Sequence, residues 1–228
     1  MKYIAENINF VEQRILAAEH KYGRRKGSVK LLVVSKSQSI EAIQRVAAAG
    51  LTRFGENYLQ EAMSKINMLE HAGVTWDFIG PIQSNKTKIL AQRFDWIHSL
   101  DRAKTAQRLS DSRPANKEPI NVCIQVNISN ENSKSGILPQ NAKDFADFVV
   151  QLPGLRLRGL MTVPAIQVDF KQQVRVYNKL WLLFEKLKAS GLNLDTLSMG
   201  MSNDLEAAIA EGSTIVRVGS AIFSARHP

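Results

Sequence analysis

A chain of 228 residues with 44% hydrophobic and 22% charged content has the composition of an ordinary globular protein, long enough to bury a full core. The formal net charge of +9 favours small anionic ligands such as phosphate esters. Zinc-finger spacing, aromatic RNA-binding signatures and basic heptads are missing, which argues against nucleic acid; no apolar run approaches bilayer length, which argues against a membrane; and one cysteine, Cys123, excludes an internal disulfide.

Residues 1–10 are charged and periodic, unlike a signal peptide, so a cytosolic location is expected. Ile4, Ile8, Val11, Ile15, Ala18 and Tyr22 recur at four- and three-residue steps and share one helix face. The basic cluster from Lys21 to Gly27 reads as a solvated connector. Leu31 to Ser35 is a short apolar run of the kind that forms a parallel strand buried on both faces, and Lys36 stands at its end. A helix with Ile40, Ile43, Val46 and Ala47 follows, stopped by Gly50.

The same alternation continues. Strand-like Thr52 to Gly55 precedes Leu59, Ala62, Met63, Ile66 and Leu69 at helical spacing. Thr75 to Ile79 leads into Lys86 to Phe94, and Trp96 to Ser99 into Ala103 to Leu109. Ile120 to Asn127 contains Cys123, read as a small buried hydrophobe, and precedes Ala142, Phe145, Phe148 and Val149. Leu155 to Met161 precedes a long helix through Val174, Tyr177, Leu180, Trp181, Phe184 and Leu187. Leu194 to Ser198 precedes Leu205, Ala208 and Ile209, and Thr214 to Val218 closes the series. About eight strand–helix units predict a single-domain (β/α)8 barrel over residues 1–228, with an extra N-terminal helix. An open doubly wound sheet is the runner-up.

In a barrel, chemistry belongs at the C-terminal strand ends, and phosphate binds after strands seven and eight. Those positions carry Ser198 to Asp204 and Arg217 to Ala221, rich in the glycine and serine that suit a phosphate. The ordinary reading of Ser202-Asn203-Asp204 is a helix cap, and that of Arg217 a surface ion pair. Lys36, held in a dry strand mouth, would be a nucleophile able to form a Schiff base; the competing reading has its amine snorkel to solvent. Asn57 and Ser84 read individually as helix caps, and Lys86 and Lys134 as solvated. His98 lacks the companions of a metal ligand and reads as structural, so no metal is expected. Asp77, in a strand between Trp76 and Phe78, is expected to face a polar seam.

Taken in order, several motifs make the chain resemble the pyridoxal phosphate homeostasis proteins, a family related to the N-terminal barrel of bacterial alanine racemase. They are Val34-Ser35-Lys36, Gly55-Glu56-Asn57-Tyr58, the run from Ile79 to Lys86, Val126-Asn127 with the Ser133 to Gly136 loop, Gly159-Leu160-Met161, Ser198 to Ser202, and Gly212 to Phe223. The resemblance runs nearly end to end. It implies a pyridoxal 5'-phosphate cofactor carried by Lys36 as an internal aldimine. It places Ser202, Gly219 and Ser220 on the phosphate, Arg217 opposite the pyridine nitrogen, and Asn57 near the ring. Threonine often stands at Ser220 in that family, histidine at Asp77 and glycine at Ser224.

The implied role is holding and delivering vitamin B6 without dedicated turnover, as a monomer, with pyridoxal phosphate-dependent apoenzymes as transient recipients. Racemisation in the related enzymes uses a tyrosine from a second domain, which a chain ending at Pro228 is expected to lack. Tyr58 is the conceivable internal substitute, against an ordinary role in packing the start of a helix. Two alternatives remain at this stage: an amino-acid racemase-like enzyme, and a phosphosugar aldolase-type barrel using Lys36.

Overall fold

Eight parallel strands close into a barrel in sequential order, so the chain is a (β/α)8 barrel and not an open sheet. The computed structural model describes residues 3–131 and 134–224; Ser133 of the predicted loop lies outside them. The chain runs α1 (Tyr3–Lys21), β1 (Lys30–Val34), α2 (Ile40–Ala48), β2 (Arg53–Glu56), α3 (Leu59–Met68), β3 (Thr75–Phe78), α4 (Thr87–Arg93), β4 (Trp96–Leu100) and α5 (Ala103–Asp111). It continues through β5 (Ile120–Gln125), a 3-10 turn at Pro139–Asn141, α6 (Ala142–Val150), β6 (Leu155–Met161), α7 (Phe170–Ala189), β7 (Thr196–Ser198), α8 (Leu205–Ala210), β8 (Ile215–Val218) and α9 (Ser220–Phe223).

The strands form where short apolar runs can be covered on both faces. Val33, Phe54, Ile97, Val122, Leu160 and Val216 are fully buried, and their shared apolar area supplies the main folding force. Closure depends on β1, which pairs with β8 from Lys30↔Ile215 to Val33↔Val218 and with β2 at Val33↔Phe54. The helices present their apolar stripes to this wall. In α2, for example, Ile43 and Val46 are buried, and Ser39 caps the helix by accepting from the Ala42 amide.

The extra helix α1 packs on α8 and α9 rather than standing apart. Asn7 Nδ2 donates to Ile222 O and Ser224 O, tying the last helix to the first. Buried Glu19 accepts from the amides of Gly27 and Val29, which fixes the connector into β1. The basic cluster is therefore only partly a solvated loop. Arg24 donates to Ile209 O and Ser213 O, and Lys21 pairs with Glu206. Among the described residues no helix is long and apolar enough to cross a membrane.

Cys123 is fully buried, as its strand position suggested, and loss of hydration pushes its thiol up to about 12. It packs as a hydrophobe.

Candidate functional site

Lys36 does not end a strand. β1 stops at Val34, and Lys36 lies two residues beyond, exposed in the structure. The dry mouth expected around its amine is therefore not supplied by strand burial. Its neighbours are held instead. Buried Lys65 donates to Ser35 O (2.6 Å), Glu56 Oε1 (2.7 Å) and Glu61 Oε1 (2.6 Å), using all three ammonium hydrogens. Ser35 Oγ donates to Glu56 Oε1 (2.6 Å), and the Ser37 amide donates to Glu61 Oε1 (2.5 Å). Ser37 occupies a left-handed conformation, φ 61°, unusual for a residue with a side chain. Lys36 thus stands between two residues pinned by carboxylates that share one ammonium. Burial pushes the Glu56 carboxyl up, against the pull of Lys65 and Ser35.

The loops after β7 and β8 meet beside this segment at the same barrel mouth, since β8 pairs with β1. Ser220 Oγ donates to Ser202 Oγ at 3.0 Å, and the Ala221 amide approaches the same oxygen at 3.4 Å. Arg14 of α1 donates to Ser202 O, and the Arg217 amide to Gly200 O. Asp204 does not cap α8 with its side chain. Its carboxylate accepts from the Met201 amide (2.6 Å) and the Tyr177 hydroxyl (2.8 Å), fixing the turn from Met199 to Asp204. Desolvation, with Asp204 adding to it, keeps Tyr177 protonated by raising its phenol well above the usual range. Gly219 is required by space: a Cβ there would lie 2.9 Å from Val34 O.

Arg217 is 4% exposed, so it is not a surface ion pair. Its Nη1 donates to Ser198 O (2.5 Å) and Ser198 Oγ (2.8 Å), and its Nη2 to Thr162 O (2.7 Å). Ser198 Oγ in turn lies 2.8 Å from His98 Nδ1, and His98 Nε2 lies 2.8 Å from Asp77 Oδ2. Arg53 holds that carboxylate bidentately through Nε and Nη2. Asp77 does face a polar seam, and the seam is the barrel interior. Burial lowers the His98 pKa against the opposing pull of Asp77, so the imidazole is neutral.

Lys36, Asn57, Ser202, Arg217, Gly219 and Ser220 all line one cavity of about 440 Å³, with Val34, Ile79 and the segment from Val163 to Gln167 as its apolar and amide walls. Asn57 does not cap α3; Tyr58 holds that position, and the Asn57 Oδ1 is buried with no hydrogen-bond partner. Gly80 makes room for it, since a Cβ there would collide with Asn57 O at 1.8 Å. Tyr58 does not pack the helix start either; it is 59% exposed and borders a separate cavity with Gln60, Gln83 and Lys86. A concavity of about 590 Å³ beside Lys30, Thr52 and Arg53 lies at the opposite strand ends, away from the grouped hydroxyls and amine. The sequence reading missed Lys65 and named Ser198 only as part of the segment after strand seven. Lys65 carried a signal: a lysine on the apolar stripe of α3 between buried Ala62 and Ile66.

A cavity offering one amine, a hydroxyl pair and a buried guanidinium is the equipment of a protein that holds a phosphorylated carbonyl compound. The alanine racemase N-terminal domain family model matches residues 7–227. The pyridoxal phosphate homeostasis protein of Pseudomonas aeruginosa is 52% identical over 226 residues, covering 99% of this chain and 97% of that protein. Its counterpart from Escherichia coli K12 is 48% identical over 229 residues, covering 99% and 98%. The solved structure of PipY from Synechococcus elongatus, with PLP bound, superposes with a TM-score of 0.84 at 31% identity, covering 97% of this chain and 100% of that one. The chain belongs to the pyridoxal phosphate homeostasis proteins, within the alanine racemase N-terminal domain family.

The buried neutral His98 makes stability depend on pH. Its folded pKa lies below the ordinary 6.5, so below that pH the unfolded chain takes up a proton that folded His98 refuses. This contribution is full above pH 6.5 and is lost as pH falls, with a slope of at most about 1.4 kcal/mol per pH unit. Urea unfolding at pH 7.5 and 5.5 should show the loss, and His98→Gln should remove that part of the slope. An unchanged slope in the variant would place the titration elsewhere.

Proposed function

We propose that this protein binds pyridoxal 5'-phosphate in the Lys36 cavity, with the Lys36 amine linked to the cofactor's aldehyde carbon, and passes it on to pyridoxal phosphate-dependent apoenzymes. The observation that carries the reading is the convergence on one cavity of Lys36, the Ser202–Ser220 hydroxyl pair and Arg217. When bound, the cofactor supplies an aldehyde that condenses with primary amines and a ring that withdraws electrons from them. Lys36 provides the amine at a fixed address, because Ser35 and Ser37 are pinned on either side of it. The two serine hydroxyls bind the phosphate, and the bare backbone of Gly219 lets it approach closely. Asn57 brings an amide oxygen without a partner to the ring side of the same cavity.

Two features favour holding over turnover. Arg217 can only donate hydrogen bonds, so opposite the ring nitrogen it leaves that nitrogen unprotonated and weakens its electron withdrawal. Among the described residues lining the cavity, the ionisable groups are Lys36, Asp204 and Arg217. Asp204 is engaged by Met201 and Tyr177, so a second acid–base group to move a substrate proton is not in place. Family relatives named as homeostasis proteins fit this reading.

Borohydride reduction of the loaded protein, followed by peptide mass analysis, should place the pyridoxyl group on Lys36, and Lys36→Ala should abolish trapping. Recovery of most adduct on Lys86 or Lys134 would overturn the assignment. The same preparation, given single amino-acid enantiomers in deuterated water, should exchange the α-proton slowly; fast exchange lost in Lys36→Ala would make the protein an enzyme.

The phosphate arm has its own measurement. Pyridoxal without phosphate should bind much more weakly, and replacing both Ser202 and Ser220 by alanine should weaken pyridoxal phosphate by about 1–3 kcal/mol, the range for hydrogen bonds to charged groups. Equal affinity for the two forms would show that these hydroxyls serve another purpose.

A further inference from the structure

Asp77, His98 and Ser198 do not line the Lys36 cavity, yet they form an unbroken path to a residue that does. The path crosses the barrel. β4 pairs with β3 and β5, and β7 with β6 and β8. A hydrogen bond from His98 on β4 to Ser198 on β7 must therefore span the interior rather than follow the sheet. The polarity of the path is also fixed. The Asp77 carboxylate, locked by Arg53 from the far side, can only accept, so the proton of the neutral imidazole sits on His98 Nε2. Nδ1 is left with a lone pair that accepts from the Ser198 hydroxyl, whose oxygen in turn accepts from Arg217. With the imidazole neutral, every hydrogen along the chain meets an acceptor in this arrangement.

We infer that Asp77 and His98, acting through Ser198, are positioning residues that set the orientation of the Arg217 guanidinium toward the bound ring. Three of its five N–H groups are committed: two to the backbone carbonyls of Ser198 and Thr162, which no rotamer moves, and one to the Ser198 hydroxyl, the single side-chain restraint on how the remaining two are aimed. Ser198 could place its hydrogen elsewhere if His98 offered an N–H instead of a lone pair. Asp77 prevents this by accepting the imidazole hydrogen at Nε2. A carboxylate at position 77 thus has a stated purpose: it selects one tautomer 2.8 Å away and, through it, one orientation of Arg217 on the other side of the barrel.

This inference rests on the proposed cofactor site, and the test separates the two. The probes are pyridoxal phosphate and its analogue with C–H in place of the ring nitrogen, titrated by absorbance and fluorescence. Ser198→Ala and His98→Gln should weaken pyridoxal phosphate about 5- to 10-fold, the equivalent of one ordinary hydrogen bond, and weaken the analogue by no more than about twofold. Ser198→Thr, which keeps the hydroxyl, should restore the preference, and the isosteric Asp77→Asn should give the same selective loss in smaller measure while leaving the fold intact. Equal losses for both probes, or none, in variants that still form the Lys36 adduct would overturn the inference alone. Wild-type protein that forms no adduct on Lys36 would overturn the site assignment and this inference with it.

Discussion

A guanidinium in the interior of a barrel dictates much of what surrounds it. Taking the charge of Arg217 out of water is costly unless its hydrogens are met by acceptors in the right geometry. The acceptors come from β7 and the residue just after β6: the carbonyl and hydroxyl of Ser198 and the carbonyl of Thr162. Meeting them commits the Ser198 hydroxyl, which commits His98, which commits Asp77 and then Arg53. The apolar wall behind this chain, with Phe54, Ile97, Val122 and Val216 fully buried, raises the cost of any break in it. One polar line through a dry barrel is tolerable because each member is satisfied at both ends.

The adjoining end of β1 solves a different problem. An amine that is to react, as proposed for Lys36, cannot be locked, yet it must start from a defined position. The chain places the restraint one residue away on each side. Lys65, Glu56 and Glu61 grip Ser35 and Ser37, and Lys36 between them lines the cavity. Removing the Lys65 ammonium would leave the Glu56 carboxylate buried without its counterion, so this clamp couples stability to the geometry of the site. The helix α1 plays the matching role at the loops after β7 and β8 through Arg14 and Asn7.

Alternating apolar runs and helical stripes were enough to count eight strands and name a barrel, because both periods are local and repeat. The six candidate residues were read from strand-end chemistry and the family resemblance, and they line one cavity. What escaped was anything depending on contacts across the structure. Lys36 was placed at a strand end because Val34-Ser35-Lys36 looks continuous, whereas β1 stops at Val34 and side chains from β2 and α3, distant in sequence, hold Ser35. Asp77 and His98 stand 21 positions apart and Ser198 lies 100 beyond His98, so no spacing rule joins them. Their pairing needs the closed barrel, which brings β3, β4, β7 and β8 around one interior.

The most direct test is a crystal structure of the protein grown with pyridoxal 5'-phosphate. Continuous density should join the Lys36 Nζ to the cofactor, with the phosphate against Ser202, Gly219 and Ser220 and the ring nitrogen facing Arg217. A cofactor seated instead in the concavity beside Lys30 and Arg53, or lying in the Lys36 cavity with its phosphate away from the two serines, would contradict the reading.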